Sequence, residues 1–192
     1  LIYVITGLFT ALIGWLFFNY LMQNQQLSST TISNSVIIPI FGNINFLFMF
    51  ICPLLTMRSF AEEKKHQTID LLLRSKLSES QIIMGKLIAN SLSAFFLLAF
   101  TLIFPIILAI SGYSDWGVVF SCYFGIMFSI VCYCMVGMFA SSLTDNQIVA
   151  SLMSFCFLLG SLLLVVSSNA TSNYIVGQIL QYFSTGFHFE SF

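Results

Sequence analysis

The sequence predicts an all-α fold, a polytopic bundle of transmembrane helices with five spans in a single membrane domain over residues 1–192. Three observations lead there. Apolar residues make up 58% of the chain and charged residues 7%, with a mean hydropathy of +0.98, whereas roughly a quarter of an average soluble domain is charged. Four charge-free stretches, 1–57, 87–114, 116–144 and 146–189, each exceed the roughly 20 residues that a helix needs to cross a bilayer. The thirteen charged residues, six basic and seven acidic, are also clustered, and ten of them, including every Lys and Arg, lie between Arg58 and Lys86. By the positive-inside rule that loop is cytoplasmic, which orients every span. The net charge of −1 is uninformative beside this distribution, and no nucleic-acid partner is expected.

The first span is residues 1–22. It has no basic leader or cleavage pattern, so a signal peptide is not expected, and the absent initiator Met reads as a portion of a longer chain. Gly7 and Gly14, two turns apart on one face, predict close helix packing. The polar, uncharged QNQQLSSTTISNS at 23–35 suits an outer loop. The second span, 36–57, carries Pro39 in its first turn and Pro53 near its far end, where a kink or unwinding is expected. In LSESQIIMGK, Ser78 and Gln81 have capping-box spacing and Glu79 favours a helix N-terminus. The third span therefore runs over 81–110, with a kink expected at Pro105.

SGYSDWG at 111–117 is an outer turn with Asp115 and Trp116 at the interface. The fourth span is 118–141. SSLTDNQ turns the chain, with Thr144 or Asp145 able to cap the fifth span, 148–166. In the remainder, Ile175, Val176, Ile179, Leu180, Phe183 and Phe187 form a helical stripe among polar residues, which predicts an outer amphipathic or re-entrant region over 167–192. Asn169-Ala170-Thr171 fits a glycosylation triplet, a pattern common by chance.

Several chemistries are excluded. Cys52, Cys122, Cys132, Cys134 and Cys156 all lie in apolar runs; their odd count gives no disulfide framework, and they read as packing residues. Cys132 and Cys134 would point about 200° apart on a helix, which disfavours a shared metal. MGK at 84–86 lacks the flanking residues of a phosphate-binding loop, and His66 and His188 belong to no zinc-protease pattern. No span carries a central charge, which argues against a proton-driven carrier and an intramembrane aspartyl enzyme. Neither catalytic residues nor cofactors are expected in this chain, and any ATP hydrolysis would have to come from another one.

The charged loop has a plain reading. Asp70 with Arg74 and Glu62 with Lys65 are helix-spaced pairs that contribute only ~0.2–0.5 kcal/mol each, so they can simply solvate a turn. Three features favour docking to a protein. The loop runs about 29 residues against about six in the other cytoplasmic turn. Its mixed sign does not suit a lipid surface. Finally, Phe60, Ile69, Leu72 and Leu73 place apolar residues among the charges, as a docked helix requires.

The segment PLLTMRSFAEEKKHQTIDLLLRSKLSESQIIMGKLIAN, 53–90, resembles the stretch after the second span in permease subunits of type 2 ABC exporters. There the form is proline-leucine, then methionine-arginine, an acidic pair, a basic pair, Gly or Gln before Thr, a leucine run, and a closing Gly-Lys. It is most similar to the bacterial branch of gliding-motility and nitrous-oxide-reductase-maturation permeases. The resemblance implies a coupling helix that fits a cytoplasmic ATPase subunit, built from Arg58, Phe60, Glu62, Glu63, Lys64, Lys65, Gln67, Thr68 and Asp70. Gln67 stands where the family commonly has Gly. It further implies a homo- or heterodimer of permeases in a bacterial cytoplasmic membrane, ATP and Mg held by the partner ATPase, and a sixth span after the outer region. Asn43 and Asn45 of the second span can line a pathway or hydrogen-bond between helices. Two functions fit: the permease subunit of an ATP-driven exporter, or a non-transporting scaffold that recruits an ATPase or other partner for signalling or force transmission.

Overall fold

The computed structural model describes residues 2–23, 36–67, 78–110 and 115–170, and every regular element among them is helical. We label them α1 (Ile2–Gln23), α2 (Ile38–Thr56), α3 (Arg58–Lys65), α4 (Glu79–Phe100), α5 (Ile103–Ile110), α6 (Trp116–Leu143) and α7 (Gln147–Ala170). Helices are what an apolar chain must form in hydrocarbon, where each backbone N–H and C=O has to be satisfied within its own segment. Among the described residues, four helical stretches are long and apolar enough to cross a membrane: Ile38–Lys65, Glu79–Ile110, Trp116–Leu143 and Gln147–Leu164. α1 forms where the first span is expected. Residue 1 and residues 24–35, 68–77, 111–114 and 171–192 fall outside the described residues, and with them most of the outer loop, of the turn expected at 111–117 and of the re-entrant region.

The prolines act as their missing N–H groups dictate. Pro53 lies inside α2, yet the helix runs on to Thr56, and the interruption falls at Met57, whose N–H reaches the Pro53 carbonyl at 2.9 Å. Met57 keeps helical dihedrals (φ −55, ψ −30), and α3 follows at once. Pro105 breaks the third stretch four residues upstream of itself, because it cannot donate to the Thr101 carbonyl. That carbonyl is taken by the Phe104 N–H at 3.1 Å, and the N–H groups of Thr101 and Leu102 reach back three residues to Leu98 (3.0 Å) and Ala99 (3.2 Å). A single tightened turn thus separates α4 from α5.

The helix starts are capped partly as expected. Gln81 Oε1 accepts the Ser78 N–H at 3.1 Å, half of a capping box, while the Ser78 hydroxyl pairs with Ser80. At α7 the capping residue is Asn146, whose Oδ1 accepts the Ile148 N–H at 3.0 Å; neither Thr144 nor Asp145 takes that role. The Thr144 hydroxyl donates to the Asn146 carbonyl, which favours the turn that aims Asn146 at the helix.

The chain divides into two compact units, and α2, α4 and α6 contribute residues to both. The first comprises Leu1–Phe48 and Ser91–Ile130. Phe9, Ile13 and Phe17 form the buried stripe of α1, four residues apart as one helix face requires. Phe9 meets Phe48 edge-on with ring centroids 5.3 Å apart, Phe17 meets Phe104 at 5.1 Å, and Phe41 meets Tyr123 at 4.8 Å. Leu12, Trp15, Phe120, Phe124 and Phe128 point outward, an arrangement suited to lipid. The small residues expected to seat a neighbouring helix do not do so among the described residues. A Cβ at Gly7 would meet open space, and one at Gly14 would make ordinary contact with the Phe104 ring at 3.8 Å.

The second unit comprises Met49–Asn90 and Val131–Phe192. Here small residues do permit close approach: Ala61, Ala140, Ser141, Ala150 and Ser154 are buried, and a Cβ on Gly137 would strike the Thr56 side chain. Cys52 and Cys134 are buried in this unit as free thiols, whereas Cys156 is exposed.

Candidate docking site

Eight residues, RSFAEEKK, make α3 the most polar helix of the chain, with Ala61 buried in its middle and Lys64 and Lys65 in its last turn, where cations favour the helix dipole. So short a helix is marginal alone, and its stability has to come from tertiary contacts. Its first turn begins with N–H groups that no earlier carbonyl can accept. Met57 offers no side-chain cap. The cap comes instead from α6, 80 residues away. The Ser141 hydroxyl accepts the N–H groups of Phe60 and Ala61, each at 3.1 Å, and donates to the Met57 carbonyl at 3.1 Å. One donor and two acceptor lone pairs are the whole capacity of a hydroxyl, and all are used.

Two lysines complete the hold. Lys86 of α4 donates to the Ser59 carbonyl and to Glu63 Oε2, the latter at 2.5 Å, and its ammonium sits 4.2 Å from the centroid of the Phe60 ring. One cation therefore satisfies a carbonyl, a carboxylate and an aromatic face at once. Beside it, Asn90 donates to the Ser59 hydroxyl at 3.4 Å. Lys64 reaches the other way, donating to the Ser142 carbonyl at 2.5 Å near the C-terminus of α6, with Asp145 at 4.0 Å. α3 also packs against α7. Elements α4, α6 and α7 thus all grip the same eight residues.

The residues expected to face a partner consequently split into two groups. Phe60, Glu63 and Lys64 are half-buried and are engaged with this chain's own helices. Arg58 and Lys65 are exposed and Glu62 is half-buried; these three, at i, i+4 and i+7, share one face of the helix. Among the described residues, none of the three side chains makes an ion pair. Gln67 closes the helix: its N–H reaches the Lys64 carbonyl at 3.1 Å and its φ is 55, a left-handed conformation that favours glycine. Thr68 and Asp70 lie outside the described residues.

Asn43 of α2 donates from Nδ2 to the Tyr20 hydroxyl of α1 at 3.2 Å, and Asn45 is half-buried two residues further on. Sequence reading did not single out Ser141, Ser142, Asn90 or Ser59, and it noted Lys86 as the close of the charged cluster and of the Gly-Lys motif, not as a residue that holds α3. The available signal was faint: a pair of serines at the end of an apolar helix, and a lone lysine entering one.

The second long helix of this membrane chain thus ends in a mixed-charge segment pinned by other helices of the same chain. The chain belongs to the ABC-2 family: the model for the ABC-2 family transporter protein matches residues 17–190, almost its whole length. It is a multi-pass permease component of an ABC transporter, and such components serve membrane transport without being the catalytic part. No curated protein and no solved structure matches it.

Proposed function

We propose that the chain is the transmembrane permease subunit of an ATP-driven ABC exporter, in which a separate cytoplasmic ATPase binds ATP and Mg and docks against α3. The observation that carries this reading is the division of α3 into an inner face held by three helices and an outer stripe of Arg58, Glu62 and Lys65. A surface that only solvated a turn would not require its other half to be fixed at five points. Thr68 and Asp70 extend the docking segment. When the ATPase subunits close, force on the stripe passes through the contacts of α3 into the helices that hold it, and the spans move as bodies between two access states. α1 serves as a fifth span, the 58–80 region faces the cytoplasm of a bacterium, and a second permease completes the pathway. The 53–90 segment favours the gliding-motility and nitrous-oxide-maturation branch. For Asn43, the bond to Tyr20 favours helix pairing over pathway lining.

The test reverses the outer stripe with Arg58→Glu, Glu62→Arg and Lys65→Glu together, in the permease–ATPase complex reconstituted in nanodiscs. Opposed rim charges cost several kcal/mol in sum, so ATPase affinity should fall at least about tenfold, with the helices still folded. Unchanged affinity and unchanged permease-stimulated ATP hydrolysis would remove the docking site from α3.

A further inference from the structure

We infer that Ser141 is the positioning residue that ties α3 to span α6 and so determines how much of the ATPase's motion the membrane helices receive; this rests on the docking reading above. Ser141 is fully buried at the last turns of α6 and its Oγ engages three backbone groups at the entry to α3, the Met57 carbonyl and the Phe60 and Ala61 N–H groups. These are backbone groups, so the link holds the axis of α3 itself and is independent of any side-chain rotamer on it. The other links differ in kind. Lys86 and Lys64 reach through long flexible stems to α4 and to the α6 terminus, and a stem of that length can follow a moving helix while keeping its hydrogen bond. A serine hydroxyl has one rotatable carbon bond and no such slack. It transmits displacement where the lysines absorb it.

The register around it supports the same reading. Gly137, one turn earlier on α6, lets Thr56 of α2 approach closely enough that a Cβ would collide with it. Thr56, Met57, Phe60 and Ala61 are thus met in order by Gly137 and then Ser141, a seam along which the end of α2 and the start of α3 follow α6. Removing the hydroxyl opens that seam at the joint while leaving the outward stripe of Arg58, Glu62 and Lys65 untouched.

The experiment uses the complex of this chain with the ATPase that co-purifies with it, in nanodiscs, and compares wild type, Ser141→Ala and Ser141→Thr. Three quantities are read: ATPase affinity, stimulation of ATP hydrolysis by the permease, and hydrogen exchange at the Phe60 and Ala61 amides. For Ser141→Ala we expect affinity within about twofold of wild type, exchange at both amides faster by at least about fivefold, the scale of one lost neutral hydrogen bond, and stimulation reduced by at least as much. Ser141→Thr, which retains the hydroxyl, should recover most of the stimulation. A merely structural serine, when removed, would lower affinity and stimulation together while exchange rises, and that result overturns the inference. Faster exchange with full stimulation also overturns it, while leaving the docking reading intact. If instead wild type shows no ATPase affinity at all, the docking reading fails first. Should Ser141→Ala not assemble, Ser141→Cys, with similar volume and a weaker donor and acceptor, must show the same separation of affinity from stimulation in smaller degree; equality with wild type in both overturns the proposal.

Discussion

Gly137→Ala is the sharpest perturbation of the packing that the site depends on. The added methyl would fall on the Thr56 hydroxyl, 3.0 Å from Thr56 Cβ and 3.4 Å from its Cγ2. Thr56 cannot step aside cheaply. It is fully buried, its hydroxyl donates to the Cys52 carbonyl at 2.9 Å, and its β-branch leaves few χ1 choices in a helix. Overpacking of this kind costs about 1–3 kcal/mol, and losing the hydroxyl's bond about 1 kcal/mol more, so roughly 2–4 kcal/mol is at stake. In detergent or nanodiscs, thermal unfolding followed by circular dichroism should show a midpoint lowered by roughly 5 °C or more. The double variant Gly137→Ala, Thr56→Ala removes the group that is struck and should recover most of the loss, giving a strongly non-additive cycle. A Gly137→Ala protein that melts with wild type, or a double variant no better than the sum of the singles, would refute the close approach of α2 and α6.

Two further substitutions test other joints. At Gln67, with φ 55, Gly should be at least as stable as Gln, whereas Val should be worse than Gly by about 1–2 kcal/mol because a β-branched residue is strained there; equal unfolding midpoints for Gly and Val would contradict the left-handed end of α3. Thr101 bonds the Leu98 carbonyl at 2.7 Å and the Tyr123 hydroxyl at 3.0 Å. Thr101→Val should therefore cost about 1–3 kcal/mol, and adding Tyr123→Phe should cost little beyond that, since no buried hydroxyl is then left alone. Additive losses in chemical or thermal unfolding would show that the two hydroxyls do not act as a pair.

Hydropathy placed the helices well because lipid leaves the backbone no alternative. α6 and α7 extend only a few residues beyond the stretches 118–141 and 148–166. Pro105 announced a break, and its position upstream follows from which carbonyl a proline orphans. The segment around α3 was legible as a charged interruption, and its motif pointed to the ABC-2 family that the chain belongs to. Its two faces were not legible. RSFAEEKK has four charged residues in a row, and no periodicity distinguishes Glu62 from Glu63, which a lysine of another helix takes up.

The sequence by itself therefore determined what is local or additive: the helical class, the positions of the long apolar helices, the single charged loop and the family. Those properties depend on transfer free energy summed over a window and on dihedral limits at proline, so nearby residues suffice. Only the tertiary structure decided that Ser141 caps a helix 80 residues earlier in the chain, that Lys86 rather than solvent neutralises Glu63, and that Gly137, not Gly7 or Gly14, is the glycine required by packing. A hydrogen bond or a collision is fixed by distance in space, and positions so far apart in the chain carry no periodic trace of it.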